Sequence, residues 1–191
     1  MRDFVFYTGP VMTKSNLYLS LFGYCILAYI LVQVPFHLYT PTRAFDLPNL
    51  LWLTHLILLY IHEAGHFLFS IFGRTIMIMG GSLNQILAPA VWYVVAKREG
   101  SALSNVAIFF TGVSIADVSV YVKDGGMLVL PLIGGLSKTH HDWANLLNEW
   151  GMIEYGSMIG ELMYWCGFLL SVYGIYSGVR QALTLYRRTS E

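Results

Sequence analysis

Residues 49–72, NLLWLTHLILLYIHEAGHFLFSIF, form an apolar stretch that contains two histidines and a glutamate within one five-residue segment. The stretch is long enough for a membrane helix, since a hydrocarbon core of about 30 Å needs about 20 helical residues. On insertion scales a charged side chain near the centre of such a helix costs about 2.5–3.5 kcal/mol. The stretch therefore predicts a membrane helix whose buried polar groups are compensated by a further interaction.

The composition of the whole chain agrees with a membrane protein. Of 191 residues, 56% are hydrophobic and 12% are charged, and the mean hydropathy is +0.58. A soluble domain of this size carries more charge on its surface. The 11 basic residues are balanced by 11 acidic ones, which gives no electrostatic basis for nucleic-acid binding. We expect an all-α integral membrane protein that forms a single domain over residues 1–191.

Five apolar windows predict about five transmembrane helices, at residues 17–38, 49–72, 83–96, 102–122 and 157–179. The third window is short, and the preceding segment RTIMIMGGS (74–82) predicts either a re-entrant strand or the start of one long helix. A short helix from about Asp142 to Trp150, closed by Gly151, is expected between the last two windows. Lysine and arginine are balanced between the two sides and do not orient the chain.

The polar segment HEAGH matches the HExxH spacing of zinc enzymes. His62 and His66 are four residues apart, so on a helix both imidazoles face the same side and can bind one cation. Glu63 lies beside them, where a glutamate acts as a general base. Cys25 and Cys166 lack the spacing of a metal site or a disulfide framework. The pattern predicts Zn2+ held by nitrogen and oxygen ligands, with Glu63 as the catalytic residue.

A third ligand is required, because a catalytic zinc ion usually takes three protein ligands. Among six histidines in the chain, the segment THHDW (139–143) is the densest further set of ligand-type groups. Asp142 is the expected third ligand, His141 is the alternate, and His140 ranks behind both. Thr139 and Asp142 also have the spacing of a capping box, which would occupy the carboxylate with backbone amides. Asp117 is a further buried carboxylate and a weaker candidate.

These motifs resemble those of the site-2 protease-type intramembrane zinc metalloproteases. Residues 62–66 look like that family's HExGH helix, GGSLNQILAPA (80–90) is similar to the start of its next helix, and HDWANLL (141–147) resembles the segment that holds its third zinc ligand. Small bacterial peptidase-like members share the run LPLIGG (130–135) and the HDW. The resemblance covers about residues 50–150. The chain departs from the family by lacking an Asn-Pro run before Asp142 and by having Trp143, not glycine, after it.

The resemblance implies a zinc enzyme of the bacterial cytoplasmic membrane that hydrolyses a peptide bond in or near a transmembrane segment of a membrane-protein or transmembrane-peptide substrate within the lipid bilayer. It also implies that Asn84 or Gln85 could bind an unwound substrate strand, although a buried amide can equally bond its own scaffold.

Two other classes of function are compatible with parts of the sequence. A non-catalytic metal-binding scaffold or assembly protein would keep the same fold. A membrane di-iron hydroxylase would use HxxxH and HH pairs, but such sites need about eight histidines, more than the six in the chain.

Overall fold

The computed structural model describes residues 12–44 and 46–190, and this part of the chain is helical with no strand. Five helices are long and apolar enough to cross a membrane. The helices are α1 (Lys14–His37), α2 (Asn49–Phe69), α3 (Arg74–Arg98), α4 (Leu103–Asp124), the short α5 (Asp142–Glu149) and α6 (Gly156–Ser190). The predictions of five long helices and of a short helix between the last two are confirmed.

The segment RTIMIMGGS (74–82), for which the sequence predicts either a re-entrant strand or the start of a long helix, is helical. Residues 74–82 belong to the continuous helix α3, so the long-helix alternative is observed there and the re-entrant strand is not. Gly80 and Gly81 lie within α3 without interrupting it. Gly80 packs directly against α2. A Cβ placed on Gly65 of α2 would overlap the carbonyl oxygen of Gly80, and one on Gly80 would lie 2.6 Å from Phe69 Cβ. Because Gly65 and Gly80 have no side chains, α2 and α3 can approach each other closely.

Helix α4 lies at the centre of the bundle. Two thirds (67%) of its apolar window is buried, against at most 33% for the other four long helices. Its main partner is α6, which presents Gly160, Gly167 and Gly174 at intervals of seven residues, a spacing that keeps them on one helix face. A Cβ on Gly167 would lie 2.5 Å from the carbonyl oxygen of Gly112 on α4. The two backbones are therefore in direct contact along this face.

One buried carboxylate holds the connection between α4 and α5 against the end of α4. Asp124, the last residue of α4, accepts hydrogen bonds from the backbone amides of Val129 (2.8 Å) and Leu130 (3.1 Å). Its Oδ2 also lies 3.1 Å from Nε2 of His141, directly before α5. Both Asp124 and His141 are fully buried. These bonds fix the start of α5 relative to the end of α4.

The contact between α4 and α6 generates a first prediction. Gly167→Ala places a Cβ against backbone atoms that cannot rotate away, so we expect the free energy of unfolding to fall by about 1–3 kcal/mol, seen as a lower melting temperature in detergent. Gly23→Ala is the matched control, because Gly23 is also inside a membrane-length helix and has no atom within 4 Å of its Cβ position. Equal melting temperatures for the two variants would contradict the close α4–α6 contact.

Candidate metal centre

Three of the predicted site residues meet at one point. His62 and His66 project from α2, and Asp142 is the first residue of α5. Oδ2 of Asp142 lies 2.9 Å from Nε2 of His62 and 3.2 Å from Nε2 of His66. The structure thus brings the expected third ligand to both histidines, although the sequence separates it from α2 by two long helices.

Hydrogen bonds on the far side of each ring indicate which nitrogen carries the proton. Nδ1 of His66 lies 2.9 Å from the carbonyl oxygen of Met77, which can only accept, so this Nδ1 donates. Gln85 donates through Nε2 to the Asp117 carboxylate at 2.7 Å. Its Oε1 therefore faces Nδ1 of His62 at 3.1 Å and accepts. In the neutral imidazoles, both Nε2 atoms carry lone pairs and point at Asp142.

Three electron-rich atoms consequently converge where a cation would neutralise them. Ligand atoms around a tetrahedral zinc ion, with bonds of about 2.0–2.1 Å, lie about 3.3 Å apart. The observed separations of 2.9 and 3.2 Å are close to that spacing. The donor set fits zinc in both chemistry and size.

Gly81 of α3 keeps the space in front of the two nitrogens open. A Cβ at this position would lie 2.5 Å from Nε2 of His62 and 2.7 Å from Nε2 of His66. Any side chain at position 81 would therefore occupy the point on which the ligand atoms converge. The sequence shows the Gly80–Gly81 pair but not this role, which depends on the pairing of α2 with α3.

Glu63 lies beside the histidines and faces a cavity. One carboxylate oxygen of Glu63 and one ring nitrogen from each of His62 and His66 all lie within 4.8 Å of one another. The cavity has a volume of about 560 Å³ and is also lined by Asp142 and by apolar residues of the 125–141 connection. Within residues 12–44 and 46–190 the Glu63 carboxylate has no hydrogen-bond partner. It is therefore available to a molecule in the cavity.

His141, the alternate third ligand, has a different role. Its Nδ1 accepts a hydrogen bond from the amide of Ala144 at 3.2 Å, so His141 is the N-cap of α5. Its Nε2 donates to Asp124 at 3.1 Å, and its ring stacks on Tyr121 with centroids 4.3 Å apart. Because both ring nitrogens are engaged, the structure does not bring His141 into the set that contacts His62 and His66.

Because His141 is the N-cap of α5, the Asp142 carboxylate is not needed for capping. The capping box between Thr139 and Asp142 is not formed, since the Thr139 hydroxyl contacts Ser137 and His140 instead. His140 lies in the same exposed group and does not contact His62 or His66. With His141 as the N-cap, the Asp142 carboxylate is free to face α2.

The remaining polar candidates bond one another or their own scaffold. Asp117 joins Gln85 to His55, whose Nδ1 lies 2.8 Å from Asp117 Oδ1, so Asp117 does not reach the ligand set. Asn84 donates to the carbonyl of Ile61 at 2.7 Å. Asn84 and Gln85 are thus held by α2 and α4 residues, and Gln85 orients His62. The sequence leaves Gln85 as either a substrate contact or an amide bonded to its own scaffold, and it does not identify His62 as the partner, because that bond depends on the α2–α3 pairing.

Comparison of the chain with protein-family models, with curated proteins and with solved structures finds no match. A proposal about its function therefore rests on the motif and on the geometry of the residues themselves.

The role of Asp124 generates a second prediction. Asp124→Asn removes the negative charge and one of the two acceptor oxygens that bind the amides of Val129 and Leu130 and the His141 ring. A buried donor that loses its acceptor costs about 1–3 kcal/mol of stability. We expect hydrogen exchange at the amides of Val129 and Leu130 to accelerate by about tenfold or more. Asp46→Asn, at an exposed loop carboxylate, is the control. Unchanged exchange at both amides would refute the anchoring role.

Proposed function

We propose that the protein is an intramembrane zinc metalloprotease of the site-2 protease type, which hydrolyses peptide bonds in or near transmembrane segments of other membrane proteins. The observation that supports it best is the convergence of Asp142 on the lone-pair nitrogens of His62 and His66, next to the cavity-facing Glu63. An imidazolium–carboxylate ion pair would account for the contacts of Asp142, but it would not require the open space that Gly81 leaves before both nitrogens or Glu63 at the cavity.

His62, His66 and Asp142 would hold the zinc ion. When bound by three protein ligands, zinc lowers the pKa of water towards 7 and polarises a carbonyl group. The chain's own contribution is orientation: Gln85 and the Met77 carbonyl accept the Nδ1 protons, which in the neutral imidazoles leaves each Nε2 with a lone pair directed at the site. The Asp117–His55 pair holds Gln85 in turn.

Glu63 is assigned the proton transfers. Its free carboxylate oxygen accepts a proton from the water that adds to the scissile carbonyl, and the same oxygen then delivers that proton to the leaving amide nitrogen. The net reaction consumes one water and yields a carboxyl and an amino terminus. Glu63 must remain unbonded to protein groups for this role, as it is within the described residues.

The cavity accommodates a short unwound segment rather than a helix. Its volume of about 560 Å³ is within the range of pockets for small ligands, and a helical substrate has its carbonyls bonded internally, so the scissile region must unwind. Apolar walls come from Leu130, Leu132, Ile133 and Leu136. The site lies beside Asp117 and Tyr121, which belong to the last third of α4. Water that enters from the C-terminal end of α4 would therefore have the shorter path to the site.

Glu63→Gln tests the catalytic role. The amide cannot take a proton, so we expect cleavage of a co-reconstituted transmembrane substrate to fall by about 10²- to 10⁴-fold, with about one zinc ion per chain retained by elemental analysis. Glu149→Gln, on α5 but outside the cavity lining, should cleave like the unmodified protein. Full activity of Glu63→Gln would exclude the proposed mechanism. Zinc binding without cleavage in the unmodified chain would favour the metal-binding scaffold instead.

Gly81→Ala tests the metal site separately from catalysis. The added Cβ would occupy the space between the two Nε2 atoms, so we expect stoichiometric zinc to be lost from protein purified without chelator. Gly23→Ala, which adds the same methyl group in open space, should retain zinc. The two variants should show the same helix content by circular dichroism. Retention of one zinc ion by Gly81→Ala would contradict the assigned metal position.

A further inference from the structure

A second cavity lies far from the candidate metal centre, where the end of α3, the start of α4 and the C-terminal part of α6 meet. Its volume is about 570 Å³, and its lining includes the basic side chains Lys97, Arg180 and Arg188. No aspartate or glutamate is among the described residues that line it. The cavity therefore concentrates positive charge at one end of the bundle.

The three cations have no acidic partner within residues 12–44 and 46–190, where no carboxylate lies within 4.0 Å of their nitrogens. Lys97 donates to the Tyr93 hydroxyl at 2.8 Å. Lys97 and Arg188 lie in the last turns of their helices, where a cation is stabilised by the helix dipole. Arg180 lies more than two turns before the end of α6, so the dipole does not explain it. An anion bound among the three would relieve their mutual repulsion.

Neutral hydrogen-bond donors complete the lining. Asn105 donates to Oε1 of Gln181 at 2.5 Å, which leaves the Gln181 amide hydrogens for another acceptor. The hydroxyls of Ser104 and Ser177 also line the cavity. Arginine and hydroxyl donors together match the several acceptor oxygens of a phosphate group.

Apolar surface continues from this cavity along α6. Tyr173 of the cavity lining is exposed, and Leu169, four residues before it on the same face of α6, is exposed as well. A soluble anion would contact only the basic end, whereas a lipid would place acyl chains against this face of α6. We propose that the cavity binds the phosphate group of an anionic phospholipid, with the acyl chains lying along α6.

The test measures binding to the purified full-length chain in a neutral detergent. Dihexanoyl phosphatidylglycerol, dihexanoyl phosphatidylcholine and inorganic phosphate are titrated separately, and the dissociation constant is obtained from the rise in melting temperature, since a ligand that binds the folded state stabilises it. The variant is Arg180→Gln. The control is Arg98→Gln, which removes the same charge beside Lys97 but outside the cavity lining.

We expect phosphatidylglycerol to bind at least about tenfold more tightly than the other two ligands, and Arg180→Gln to weaken it by about tenfold, the equivalent of one charge-assisted hydrogen bond. Arg98→Gln should leave binding unchanged. Equal binding of phosphatidylcholine, or equal effects of the two variants, would overturn the proposal. Inorganic phosphate binding as tightly as phosphatidylglycerol would overturn the lipid assignment, because the apolar face of α6 would then contribute nothing.

Discussion

The contact of one carboxylate oxygen with two lone-pair nitrogens is the constraint on which the arrangement around the site depends. Asp142, His62 and His66 would repel one another at 2.9 and 3.2 Å if nothing positive lay between them. The surrounding elements hold them there regardless: α2 sets the spacing of the histidines, and α3 accepts both Nδ1 protons. Such a preorganised set of acceptors is what a divalent cation requires, because no ligand has to move or change tautomer on binding.

Close helix packing makes that preorganisation possible. In a membrane, apolar faces gain little from associating with each other rather than with lipid, so close backbone contact through small residues becomes the main attraction. Gly65 and Gly80 bring α2 onto α3, and this short distance allows Gln85 to reach His62 and Gly81 to lie before both rings. The α4–α6 contact through Gly112 and Gly167 supports the same bundle from the other side. The geometry of the site therefore depends on the short distance between the backbones of α2 and α3.

Local features of the chain were predictable and long-range pairings were not. The apolar windows and the i, i+4 histidines are encoded within one or two turns, so the helices and the His62–Glu63–His66 segment follow from the sequence. The continuous α3 and the roles of Gly81 and Gln85 arise only when α3 pairs with α2. The choice between Asp142 and His141 was open in the sequence for the same reason, because it depends on which residue caps α5.

That N-cap links the end of α4 to the position of Asp142, the proposed third ligand. Had Thr139 been the N-cap, Asp142 would occupy the third helical position, where its carboxylate folds back onto backbone amides. With His141 as the N-cap, Asp142 begins the helix and its carboxylate projects towards α2. His141 is itself fixed by Asp124, the last residue of α4. The placement of Asp142 is thus tied to the end of α4 through two buried side chains, and the intervening connection can shape the cavity wall without having to position the ligand.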